Sequence, residues 1–325
     1  MMRSRGKKAL VFVVASGFLA SLSPADLTIQ MTTIGNPGNA DDAPYWDNLH
    51  YGGVDYVYQI STFEVTVAQY TEFLNATAAS DPYGLYNPYM MGAMEGSIIE
   101  RSGSDGSYTY GAVAGAENEP VRYVSFYDGL RLCNWMANGQ GSASTETGSY
   151  NIAEGIWVTR GANATWVLPN QDEWYKAAYY DPVNDAYYDY PNGSDAAPSE
   201  PTDGTTPREM NFGNTPFWQG NQYYTSIGET TGQSPYGVCD MGGNVQEWTD
   251  SFSPGGGADR VTRGGLFVSS ASDLSYSGTA TYDPSVEGAG EGLRLAYIIP
   301  EPSTLLLCLA GLASLWFSWL KRCCR

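Results

Sequence analysis

Three stretches of the chain switch from strand-like to helix-like spacing of apolar residues, and a polar cap marks each switch. In YQISTFEVTVAQYTEFLN, residues 58–75, β-type residues give way at Thr66 to Tyr70, Phe73 and Leu74 on one helical face. Thr66 and Gln69 have the spacing of a capping box, in which the first and fourth residues satisfy each other's backbone N–H groups. PVRYVSFYDGLRLCNWMANG, residues 120–139, reads as strand then helix. There Ser125 and Asp128 open the helix, Phe126, Leu130, Cys133 and Ala137 share a face, and Asn138-Gly139 stops it. TWVLPNQDEWYKAAYYDP, residues 165–182, repeats the arrangement, with Asn170 and Glu173 as the box and Trp174, Ala177 and Ala178 facing inward. Elsewhere the pattern dissolves. Residues 81–119 are rich in Gly, Tyr, Ser and Met, with GSYTYGAV (106–113) as the strand candidate, and residues 181–235 are Pro-, Gly-, Asp- and Asn-rich coil. No period of 20–50 residues recurs. The pattern predicts one α+β domain, irregular and loop-rich.

The two ends follow other rules. Arg3, Arg5, Lys7 and Lys8 precede an apolar run from Ala9 to Ala20, and Ser23 and Ala25 supply small residues for cleavage, which predicts a signal peptide over 1–25. From Ser303 to Leu320 the chain carries no charge, long enough to cross most of a bilayer as a helix. Lys321, Arg322 and Arg325 then make a basic end. With Pro300-Glu301-Pro302 in front, residues 300–325 resemble the PEP-CTERM sorting signal of exported bacterial proteins. That resemblance implies recognition and removal of the tail by an exosortase-type processing enzyme; a plain C-terminal membrane anchor is the other reading. Residues 26–299 remain as the domain, exported to the cell envelope or beyond.

Charge narrows the partners. All 35 acidic residues lie between Asp26 and Glu301 but only 9 of the 16 basic ones do, so this part carries −26 where the whole chain carries −19. Nucleic acid is a poor partner for such a surface, and divalent cations are natural ones. With 25 Tyr and 38 Gly, aromatic packing rather than a helical bundle has to hold the loops. His50 is the sole histidine, so a His-ligated metal centre or a Ser-His-Asp triad would need His50 alone to serve. Cys133 and Cys239 are the only cysteines outside the tail. Cys133 reads as a small core residue, and whether the two pair is left open by sequence.

YGVCDMGGNVQEWTD, residues 236–250, sets Asp240, Asn244 and Glu247 around Gly242-Gly243. Two glycines permit a sharp turn, and hard oxygens on a turn are what calcium coordinates. An Asx-type turn with a solvated acid is the plainer alternative.

Taken in order, EVTVAQYTEFL, PVRYVSFYDGLRLCNW, VLPNQDEWYKAA, YGVCDMGGNVQEW, RGGLF and EGLRLA resemble the formylglycine-generating enzymes, or sulfatase-modifying factors, across most of residues 55–297. The resemblance implies an irregular α+β fold related to C-type lectins. It also implies calcium held by the side chains of Asp240 and Glu247 and the carbonyls of Gly243 and Val245. A second calcium would use Asn211, Phe212, Asn221 and Tyr223. The family oxidises a substrate cysteine through two cysteines that hold copper(I); here those positions fall on Ser269 and Leu274, so copper is not expected. What remains there is a groove of Arg263, Ser269, Ser270, Ser272, Asp273 and Arg294, in which the two arginines serve either a ligand or only the backbone carbonyls around them. The expectation is a calcium-stabilised domain that binds a ligand, a glycan or exopolysaccharide or an envelope protein. The alternative is an enzyme of the same family that uses a different site.

Overall fold

The computed structural model describes residues 26–42, 49–92, 96–202, 205–213 and 223–300. Each of the three capping boxes opens a helix. Helix α1 is Val67–Thr77, and its Thr66 side chain accepts from Gln69 N while Gln69 Oε1 accepts from Thr66 N. Helix α2 is Phe126–Ala137, opened by Ser125 and Asp128; α3 is Gln171–Tyr179, opened by Asn170 and Glu173. Their inward faces are the expected ones: Tyr70, Phe73, Leu74, Phe126, Leu130, Cys133, Trp174, Ala177 and Ala178 are all buried, and Ala137 is half-buried.

The segment before α2 is a departure. Residues 121–124 form no strand, because Tyr123 sits at φ +61°, outside extended backbone. Its neighbour Val121 donates instead to Val65 O just ahead of α1.

Two four-stranded sheets frame the core. The first joins β1 (Met31–Ile34), β2 (Tyr58–Ser61), β12 (Ala296–Ile298) and β5 (Trp166–Val167), all antiparallel, with Ile60 opposite Thr32 on one side and Ala296 on the other. The second runs β10 (Ala280–Tyr282), β9 (Arg260–Arg263), β8 (Gln246–Phe252), β11 (Glu291–Gly292), with β11 parallel to β8 and a register shift between Trp248 and Phe252. Outlying hairpins are β3–β4 (Ile99–Ser102 and Thr109–Ala112) and β6–β7 (Tyr180–Asp181 and Ala186–Tyr187). The first contains the strand expected within residues 106–113.

The fold mixes helix and sheet, and the aromatic side chains lock the layers. Trp248 on β8 packs edge-on against Phe126 of α2 at 6.2 Å, and its Nε1 donates to Val124 O, so one residue ties a sheet to a helix start. Among the described residues no helix is long and apolar enough to cross a membrane, and the expected signal peptide and tail helix lie outside them.

Candidate functional site

The 236–250 segment turns sharply because Asp240, Gly243 and Asn244 all adopt positive φ, at 55°, 82° and 60°. Gly243 is required there: a Cβ would stand 2.0 Å from Asn211 O. The oxygens of the turn do converge on a cation, the Arg294 guanidinium from the EGLRLA segment. Its Nη2 donates to Glu247 Oε1 at 2.7 Å and to Cys239 O at 2.9 Å, its Nε to Glu247 Oε2 at 2.9 Å, and its Nη1 to Ser61 O at 2.8 Å. Trp174 Nε1 donates to Glu247 Oε2 at 2.7 Å. Arg294 and Glu247 are sealed from solvent. Burial opposes the Arg294 charge, but Glu247 beside it holds the guanidinium pKa above its ordinary value.

Glu64, which the sequence did not single out, completes the cluster. Its carboxylate accepts from Asn244 Nδ2 at 2.9 Å and from Val245 N at 3.3 Å. Burial, and then the charges of Asp240 and Glu247, push the Glu64 carboxyl well above the usual range. In kind, these donors suit calcium: hard oxygens, and three buried carboxylates against one guanidinium. In placement they are already engaged. Asp240 accepts from Gly228 N at 2.7 Å and Thr230 Oγ1 at 3.1 Å, and among the described residues no three His, Cys, Asp or Glu side chains come together as metal ligands. Calcium at this loop would share Glu247 with Arg294.

Of the second calcium set, Asn211 and Tyr223 meet each other. Asn211 Nδ2 donates to Tyr223 O and to Asn244 Oδ1, both at 3.1 Å. Phe212 packs with Met210 and Leu274 in a small apolar cluster, and Asn221 lies outside the described residues.

A pocket of 190 Å³ opens between β9, β10 and the loop after Arg263, which runs into a one-turn helix, α4 (Ala271–Leu274). Arg263, Ser269 and Asp273 line it together with Gln246, Thr262, Leu266, Thr279 and Tyr282. Ser270 and Ser272 are exposed on α4, where Ser270 and Asp273 cap each other, and Arg294 is in the core pair instead. Arg263 braces the backbone: Nη1 donates to Tyr276 O and Gly278 O, and Nη2 to Gln171 Oε1 at 2.6 Å.

Positions 269 and 274 meet across Gly265, where a Cβ would lie 3.1 Å from both Ser269 Oγ and Leu274 Cδ1. Both positions therefore border Gly265, while Ser269 Oγ accepts from Leu266 N and Leu274 is buried. Neither side chain is a ligand for copper(I). Cys133 is buried in α2 and Cys239 beside Asp240, and they are not disulfide-bonded. Burial pushes the Cys133 thiol well up and the Cys239 thiol up to about 11, away from the reactive thiolate. Thr279 and Tyr282 carried no motif; only the hydroxyl-rich run SSASDLSYSGTATY signalled them.

The family model of the sulfatase-modifying factor enzyme 1-like domain matches residues 53–299. Among solved structures, variable protein 1 of Treponema denticola superposes with a TM-score of 0.52 at 19% identity, over 82% of this chain and 94% of that one. CarF gives 0.50 at 18%, over 85% of this chain and 100% of its own. PvdO from Pseudomonas aeruginosa gives 0.47 at 16%, over 83% and 92%. No curated protein matches the sequence.

Proposed function

This chain belongs to the sulfatase-modifying factor enzyme 1-like family, and from that premise we propose that it is a ligand-binding member of the family rather than a copper oxidase. The carrying observation is the pair of positions 269 and 274, the first of which lines the pocket. A serine and a buried leucine border Gly265 there, and among the described residues that line the pocket there is no thiol or histidine. Cysteine oxidation on copper needs at least two converging thiolates, and the two body cysteines are buried elsewhere.

The ligand we propose is a glycan or exopolysaccharide met at the cell envelope, in keeping with the C-type-lectin kinship that the resemblance implies and with a body rich in tyrosine. Calcium at the 240–247 loop is part of the same proposal, supported by the surplus of buried carboxylate around Arg294. Export by the signal peptide, and retention or release through the PEP-CTERM-like tail, complete it.

The test is metal analysis and turnover on one preparation. Purified protein should hold no stoichiometric copper and should leave a sulfatase-type cysteine peptide unmodified in the presence of oxygen and added copper(I). Conversion of that peptide, lost on Cys133→Ser or Cys239→Ser, would establish an enzyme with a different site.

A further inference from the structure

Resting on the binding reading above, we propose that the 190 Å³ pocket takes a single neutral pyranose at the end of a glycan and rejects acidic sugars. Size comes first. The volume lies below the ~300–1,000 Å³ of sites for drug-sized ligands, so it admits one ring and not a chain. The lining matches the two-sided chemistry of a sugar ring. Thr262, Ser269, Thr279 and the Gln246 amide offer hydroxyl-scale hydrogen bonds, while Leu266, Ala280 and the Tyr282 ring offer an apolar wall for C–H faces.

Charge decides between neutral and acidic sugars. Among the described residues Arg263 is the only cation lining the pocket, and it is 2% exposed. Its terminal nitrogens are turned to Tyr276 O, Gly278 O and Gln171 Oε1, and its Nε, which has no hydrogen-bond partner, is buried away from solvent. A uronate carboxylate could reach Nε, the one nitrogen of that guanidinium without a partner, only by entering the buried wall behind the pocket. It would meet the exposed Asp273 carboxylate at the rim, with Glu291 bonded behind Gln246 at 2.7 Å. Like charges at such range cost affinity, and a carboxylate stripped of water without a partner costs more.

The experiment is calorimetric titration of the full chain in detergent with two series of oligosaccharides, one ending in neutral hexoses and one in uronic acids, with a sulfatase-type cysteine peptide alongside. We expect binding by members of the neutral series and at least tenfold weaker binding by the matched uronates. Thr279→Trp, at an exposed rim position, should fill the pocket and cost at least tenfold, while Trp166→Ala, on the other sheet, should change nothing. Asp273→Asn keeps an oxygen for the Ser270 N–H and should narrow the gap between the series. Tighter binding of uronates overturns the ligand class but leaves a binding protein. Neutral binding untouched by Thr279→Trp overturns the site. Binding of no saccharide overturns the proposal, and modification of the peptide overturns the binding reading with it.

Discussion

Ser269 and Leu274 show how little a change of residue has to move in order to change a chemistry. Both border Gly265, Ser269 on the pocket side and Leu274 buried with Met210 and Phe212, and neither is a soft ligand. Ser269→Cys with Leu274→Cys is therefore predicted to bind copper(I) stoichiometrically where wild type does not, read by metal analysis after anaerobic loading. If the double variant stays copper-free while remaining folded, the positions are not paired as described. Arg294 carries the opposite lesson. It is sealed among Glu247 and three backbone carbonyls, and removing one partner of a buried pair strands the other charge. Arg294→Met is expected to cost about 3–5 kcal/mol in urea unfolding. A loss below 1 kcal/mol would mean the pair is open in solution.

At the scale of elements, the cap of α2 makes a pH-dependent contribution. Burial pushes the Asp128 carboxyl up to about 7, although it accepts from Ser125 N and Oγ at 2.8 and 2.7 Å. A folded-state pKa above the unfolded value near 3.9 means the folded state binds the extra proton between them. That contribution is fully present below about pH 4 and is lost as pH rises through about 7. Asp128→Asn keeps an acceptor for the cap and should flatten this part of the stability profile between pH 4 and 7, as followed by chemical denaturation. The 240–247 turn gives a second test. Calcium that binds only the folded state would add roughly 2.7 kcal/mol at a hundredfold excess over Kd. Melting should then fall on chelation in wild type and not in Asp240→Ala; equal melting with calcium and with chelator would show that Arg294 alone closes the turn.

For the whole molecule, the acidic body and its two apolar ends predict processing. Mass spectrometry of envelope material should find a chain beginning near Asp26 and ending near Pro302. A product retaining Arg325 would identify a simple anchor. The body itself is held by aromatic ties between layers, Trp248 to α2 and Trp174 to Glu247, rather than by long regular elements. That suits a chain whose charge would otherwise favour expansion.

The helices were legible because their signals are local. A capping box and a 3.6-residue face act within one or two turns, so Thr66, Ser125 and Asn170 announce α1, α2 and α3 without reference to the rest of the chain. The family was legible too, since six motifs in order carry it. What sequence left open is what depends on approach from afar. It set Asp240 and Glu247 on a turn that gathers oxygens, but that Glu247 meets a guanidinium is decided by Arg294, 47 residues beyond it. Glu64 joins from 181 residues away through Val245 N. Tyr123 breaks the expected strand before α2 with a left-handed backbone that no propensity demands. The pocket likewise exists only because β10 folds beside β9 and brings Thr279 and Tyr282 opposite Ser269. Local hydrogen bonds and side-chain periodicity are written in neighbouring residues; buried charge balance and cavities are set by which distant segments pack together.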